Sequence, residues 1–517
     1  MKLFYPLFLF SLVIIHGFSQ GNENARKFAK TISAQDIKAH ISFLADDLVE
    51  GRETGERGQK IAGLYVKSQF VRMGLPGGVP ESGSYYQTFY LNQSGVNEAT
   101  ISLGKKTFNF KEDFTYYGMG LPAQLSGDIV FGGYGLSSDT YNNFRHTDVK
   151  DKLVLVFSGS PVTTGGEPLR LLDQLREWRR RGETYKAAGA KAFMIILPDS
   201  VFETVKRFAG RGSMSITGEP TASMAGLYLS ETMGNYLLGL GKGKPENLKK
   251  ELETSDIPAT LDFKKAGFSL NADVETSVKS GENVLAYLEG TDKKEELLVL
   301  TAHYDHIGVS RNGEVNNGAD DDASGTSSIM EIAEAFALAA VEGYRPRRSI
   351  LFMLVSGEEK GLLGSEFYTN NPLYPLASTV VNLNIDMIGR IDSKYESLPD
   401  SANYTYVIGS DRLSSELHAL SEEVNQTYSG LIMDYKYNAD NDPQRFYYRS
   451  DHYNFAKNGI PVIFYFSGTH KDYHKPTDDL EKINFEKTAK IARQVFYTAW
   501  EIANREEKIV VDKAVDR

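Results

Sequence analysis

Two histidines and several carboxylates stand at the ends of apolar runs in the second half of this chain. His303-Tyr304-Asp305 follows Leu297-Leu298-Val299-Leu300, and the pair Glu358-Glu359 follows the run from Ile350 to Val355. The run from Val380 to Ile385 leads into Asp386, and that from Ile460 to Phe466 leads into a loop carrying His474. An acidic glycine loop, Gly318 to Gly325, holds Asp320, Asp321 and Asp322 between the first two. Imidazole nitrogen and carboxylate oxygen are what zinc takes where thiolates are lacking, and the chain has 0 cysteines. Two such ions about 3.5–4 Å apart are readily held by a shared carboxylate. His303 and Asp386 can terminate one ion and Glu359 and His474 the other, with Asp321 spanning both. Asp305 is placed to take the second imidazole N–H of His303 and fix its tautomer. Singly, each motif has an ordinary reading: a structural histidine, a solvated glutamate pair, a turn or calcium loop. Jointly they read as a two-metal hydrolase, and the imidazoles argue against calcium, which takes oxygen ligands.

These residues need elements that bring them together. The four runs are short and uniformly apolar, like strands covered on both faces. In an open α/β sheet the carboxyl ends of parallel strands converge on one crevice. From Asn283 onward strands alternate with helices, which predicts a mixed, largely parallel sheet flanked by helices. One helix is clear, capped by Asp322 or Ser324, with Ile329, Ile332, Ala333 and Phe336 as its buried stripe. Residues 21–91 read as helices from Ala34 and from Gly58, joined by a largely polar loop, Asp46 to Arg52. Residues 99–264 change to short strands and glycine turns, as in Ile129 to Gly135 and Lys152 to Phe157, and look like an inserted β-rich module. The predicted division is therefore a signal peptide over 1–19, the first part of the α/β domain over 20–100, the insert over 101–264, the main part over 265–505 and a charged tail over 506–517.

At 517 residues the chain is long enough for two to three domains. A net charge of -11 argues against nucleic acid as partner, because phosphate binding needs clustered Lys and Arg. Lys2 followed by the apolar stretch from Leu3 to Ile15 has the form of a secretory signal, and it falls short of the roughly 20 residues of a spanning helix. Export without disulfides predicts a periplasmic or secreted protein with no stable membrane insertion.

With these motifs in this order, the chain resembles the di-zinc exopeptidases, a family that includes secreted bacterial aminopeptidases, glutamate carboxypeptidase II and the metal-free transferrin receptor. The likeness rests on His303-x-Asp305, the Gly318 to Gly325 loop, Glu358-Glu359, Asp386 and Tyr473-His474, and extends to Phe43 through Arg52. The insert, with Tyr134-Gly135 and Ala187 to Ala190, is similar to a protease-associated domain. The resemblance implies two zinc ions, Asp321 as the bridging ligand between His303, Asp386, Glu359 and His474, and a cis peptide after Asp321. It implies Glu358 as general base, Tyr473 as donor to an oxyanion and Arg449 as a contact to the substrate terminus. The activity it implies is an aminopeptidase acting on peptide or protein substrates through metal-activated water. A carboxypeptidase or dipeptidase, a single-zinc glutaminyl cyclase and a catalytically inactive binding protein remain the alternatives.

Overall fold

The computed structural model describes residues 21–515 apart from 117–120, 137–141, 144–146, 161–170, 209–212, 219–224, 240–243, 256–266 and 311. The expected signal peptide, and the expected junction at 264, lie outside the described residues. The chain divides into two compact units, one made of Met1–Thr88 with Gly281–Arg517 and the other of Phe89–Ser280.

After a first helix, Glu23–Ala29, the first unit carries helices α1 (Ala34–Leu44) and α2 (Arg57–Arg72). The hydroxyl of Ser33 accepts the N–H of Asp36, which caps α1 and removes one of its unpaired donors. The sheet strands follow: β1 (Phe268–Leu288, which belongs to this unit from Gly281 on), β2 (Lys293–His303), β3 (Arg348–Val355), β4 (Thr379–Ile385), β5 (Tyr404–Ile408), β6 (Ile432–Asp434) and β7 (Val462–Phe466). Their order across the sheet is β6-β5-β7-β4-β2-β3-β1. At its centre β3, β2, β4 and β7 are all parallel, so the four runs singled out in the sequence end on one edge. The strands β1 and β5 join this core antiparallel, as a mixed sheet requires.

Alternation along the strands explains why the runs are apolar throughout. Leu298, Leu300, Ile350, Phe352 and Leu354 bury against one helical layer, while Leu297, Val299, Leu351, Met353 and Val355 bury on the other face. The first layer contains α1, α2, α3 (Ala323–Val341) and α4 (Phe485–Asn504). Phe336 of α3 meets Phe496 at 4.8 Å and Trp500 at 5.8 Å between ring centroids. Full burial of a side chain of this size contributes about 1.5–3 kcal/mol. Asp322 provides the cap of α3, accepting the N–H of Gly325, so the helix is anchored at the acidic loop.

The second unit has its own five-stranded sheet, in which Ile129–Phe131, Leu153–Phe157, Ala192–Ile196 and Ala225–Leu229 are parallel. Leu155, Met194 and Leu227 form part of one buried cluster, and Trp178, Phe193 and Tyr228 part of another. Helices Leu171–Ala187 and Asp199–Phe208 accompany these strands, so the insert is less exclusively β than its glycine turns imply.

Candidate metal centre

The carboxyl ends of β2, β3, β4 and β7 bring the scattered candidates together. His303 Nε2 stands 3.3 Å from Asp321 Oδ1 and 3.6 Å from Asp386 Oδ1. His474 Nε2 stands 3.1 Å from Asp321 Oδ2 and 3.1 Å from Glu359 Oε2. Asp321 thus turns one oxygen to each side. Two atoms bound to one zinc at about 2.0–2.2 Å stand about 3.3–3.6 Å apart at a tetrahedral angle, as the His303 separations do, and about 3.1 Å apart at an angle of about 90–100°, as those of His474 do, so the donor set fits zinc. Glu358 Oε2 lies 3.9 Å from His303 Nε2, beside that set.

Backbone and side-chain contacts hold each carboxylate. Asp386 Oδ2 accepts from Ser450 Oγ at 2.7 Å, and Asn384 Nδ2 donates to that same hydroxyl at 2.9 Å. Thr301 Oγ1 donates to Asn384 at 2.6 Å, which extends this polar chain between the neighbouring strands β2 and β4. Asp322 Oδ1 accepts the N–H of Gly325 at 2.8 Å and of Met387 at 3.0 Å, tying the acidic loop to the end of β4. The Asp321–Asp322 peptide is cis. Asp305 acts differently from the expectation. His303 Nδ1 meets the main-chain oxygen of Asp305 at 3.1 Å, whereas its carboxylate is 3.8 Å away. That carboxylate accepts instead from Thr54 Oγ1 at 2.7 Å and from the Glu358 N–H at 3.3 Å. The main-chain carbonyl two residues on, just past the strand end, reaches the ring more closely than the side chain of the same residue, so the tautomer is set by backbone.

Burial and charge push these groups in opposite directions. Burial would depress His303, yet Glu358 and Asp386 raise it well above an ordinary imidazole; His474 is raised likewise by Glu359. Burial, reinforced by the charges of Glu359 and Asp386 and opposed by His303, pushes Glu358 well above the carboxylate range. Its neighbour Glu359 goes the other way: burial opposes ionisation, but His474 and His306 hold it below that range. Adjacent glutamates with opposite tendencies suit one proton-transfer group and one permanent ligand.

The cleft over this cluster is walled by Met387, Phe446, Phe464 and Phe466. Tyr473 and Arg449 line it too, with Arg449 Nη2 donating to Tyr473 Oη at 3.4 Å and its guanidinium 4.5 Å from the Phe446 ring centre. The Tyr473 ring stacks on His474 at 3.9 Å. A wider groove of about 690 Å³, reaching from Ala34 to Glu486, has no convergent histidines and acids, so the chemistry belongs to the smaller cleft.

Three residues given no role in the sequence reading support the site. Arg52 is fully buried and spends its donors on main-chain oxygens: Tyr304 at 2.8 Å, Asn317 at 2.6 Å, Gly318 at 3.0 Å, Asp321 at 3.4 Å, and Leu44. Its segment, expected as a largely polar loop, is a short 3-10 stretch with left-handed residues. Asp478 Oδ2 accepts the N–H groups of Asp320 at 3.0 Å and Asp321 at 3.2 Å. His306, three positions past His303, approaches Glu359 at 2.8 Å. Its place in a His-x-Asp-His string was the available signal.

Residues 283–499 match the profile of peptidase family M28. A probable zinc metalloprotease of Leptosphaeria maculans is 28% identical over 258 residues, covering 43% of this chain and 57% of the relative. Leupeptin-inactivating enzyme 1 of Streptomyces exfoliatus is 30% identical over 231 residues, covering 43% and 45%. The chain spans about half the length of the curated relatives it matches. Among solved structures, an aminopeptidase from Aneurinibacillus sp. strain AM-1 superposes with a TM-score of 0.59 at 19% identity, covering 95% of this chain and 98% of that one. A zinc aminopeptidase from Bacillus subtilis gives 0.51 at 18% identity, covering 92% and 96%. Those likenesses establish a shared fold, and the stretch 283–499 within it is similar to peptidase family M28.

Proposed function

We propose that this chain is a di-zinc exopeptidase that removes amino-terminal residues from peptides. The observation that carries the reading is Asp321, whose two oxygens face different histidines while Glu358 lies beside one of them. His303 and Asp386 would hold one ion, Glu359 and His474 the other, and Asp321 would serve both. When bound, the zinc pair supplies a Lewis acid for the scissile carbonyl and lowers the pKa of the attacking water. Glu358 takes the proton of that water and returns it to the leaving amine; its raised pKa keeps it able to do both. Tyr473 and Arg449 present donors to the oxygen that gains charge, and burial keeps the Tyr473 phenol protonated, with its pKa pushed up to about 12.

The apolar wall of Met387, Phe446, Phe464 and Phe466 suits an apolar first residue, and the clustered carboxylates suit a free α-amine. Arg449 is the observation favouring a second reading, in which a cation takes a substrate carboxylate and the enzyme is a dipeptidase or carboxypeptidase. We further read residues 101–264 as a protease-associated domain inserted between 20–100 and 265–505, and residues 1–19 as an export signal. No described helix is long and apolar enough to cross a membrane. Leucyl and phenylalanyl p-nitroanilides should be cleaved, their N-acetylated forms should not, and a chelator should abolish turnover. Cleavage confined to peptides with a free carboxyl terminus would transfer the assignment to the second reading.

A further inference from the structure

His306 is fully buried, yet neither of its ring nitrogens has a hydrogen-bond partner. Leaving such a group unpaired costs about 1–3 kcal/mol, so its surroundings call for an explanation. Nδ1 lies 2.8 Å from Glu359 Oε1 and 3.8 Å from Asp321 Oδ2, and the shorter approach falls off the N–H direction. Those two oxygens are also buried without hydrogen-bond partners. Three unpaired buried atoms, from three residues, therefore converge. Ligand atoms on one zinc at angles from about 90° to 125° stand about 2.8–3.8 Å apart, which spans both separations. The same side carries His474, whose ring centre is 5.8 Å from that of His306. Two imidazoles sharing a zinc at those angles place their ring centres about 4.5–5.7 Å apart, so the observed separation stands at the wide end of that range.

On the two-zinc reading above, we propose that His306 is a further ligand to the ion on the Glu359 side. That ion then has four protein groups, Asp321, Glu359, His474 and His306, whereas the ion on the other side has three, His303, Asp321 and Asp386. Four protein ligands close a zinc site, and three leave a position open. The open position lies on the His303 side, where Glu358 stands. The fold keeps room for the extra ring: a β-carbon at Gly318 would come within 2.6 Å of the His306 ring, and the Gly318 φ of +57° favours glycine there. The His306 N–H donates to Arg52 O at 3.1 Å, which fixes its backbone to the buried arginine.

Zinc K-edge X-ray absorption on the fully loaded wild-type chain tests this without reference to turnover. Three imidazoles over two ions give an average of about 1.5 per zinc, against an average of one if His306 is not bound. His306→Ala should weaken one of the two zincs, measured by competition with a chromophoric chelator, by more than the roughly 10–100-fold that loss of an orienting partner costs. An average of one imidazole per zinc, or a variant that keeps both ions within that range, overturns the proposal and leaves the di-zinc reading intact. A wild-type chain that takes up no zinc overturns both.

Discussion

The two sides of the metal cluster are built from different material. His303 and Asp386 sit at the ends of the central strands β2 and β4, and Asp386 and the His303 backbone are braced by Ser450, Asn384 and Thr326. His474 comes from a loop after β7, with a left-handed φ of 56° and 36% of its side chain exposed. A side held by strand ends keeps its geometry from one cycle to the next, while a side carried on a loop can adjust to what enters the cleft. Glu358 belongs beside the rigid side and Tyr473 to the adjustable one. On the proposed function, proton transfer would fall to the strand-held side and oxyanion contact to the loop.

Removing the proton acceptor should give the largest effect. Glu358→Gln keeps shape and hydrogen bonding, so zinc content should stay at the wild-type value while kcat falls by about 10²–10⁴-fold. Glu359→Ala should instead lower zinc content, because it removes a ligand. Metal analysis beside steady-state kinetics separates the two. If Glu358→Gln lost zinc together with turnover, the roles of the neighbouring glutamates would have to be exchanged.

Much of this arrangement was legible in the sequence because four apolar runs ended in ligand-type residues, and parallel strands cannot deliver their ends anywhere but one edge. The helix capped by Asp322 was legible for a similar reason, since a short acid before a periodic stripe marks a helix start. What escaped was burial of charge. Arg52 read as part of a polar loop because arginine is rarely buried, and only the convergence of five main-chain oxygens on it explains the exception. Asp305 was assigned to its side chain because sequence does not distinguish a carboxylate from the carbonyl of the same residue. The compact units meet at 88/89 and 280/281, against expected limits near 100 and 264. Strands Tyr86–Leu103 and Phe268–Leu288 run across those limits, so composition changes later or earlier than packing does.

On the adjustable side, Tyr473→Phe should lower kcat by about 10²–10³-fold, the cost of losing one oxyanion donor. Burial raises this phenol to about 12, so below that pH it remains a donor and gives no alkaline limb. The sign of the shift makes the prediction specific: the variant should lose rate uniformly, with the shape of the pH–rate profile unchanged over pH 6–10. An alkaline limb that vanished with the hydroxyl would show Tyr473 titrating within the working range and acting as an acid.

The smallest effect is expected beneath the rigid side, at Ser450. Its hydroxyl donates to Asp386 Oδ2 and in turn accepts from Asn384, so Ser450→Ala removes a support without removing a ligand. Loss of such a partner typically costs about 10–100-fold in metal affinity. The loss should fall on the ion held by His303 and Asp386 and leave the ion held by Glu359 and His474 at wild-type affinity. Stepwise chelator competition resolves the two events, and Ser450→Thr, which restores the hydroxyl, should recover most of the affinity. Equal weakening of both ions in Ser450→Ala would mean that the two sides are one mechanical unit coupled through Asp321, and the division between a rigid and an adjustable side would fail.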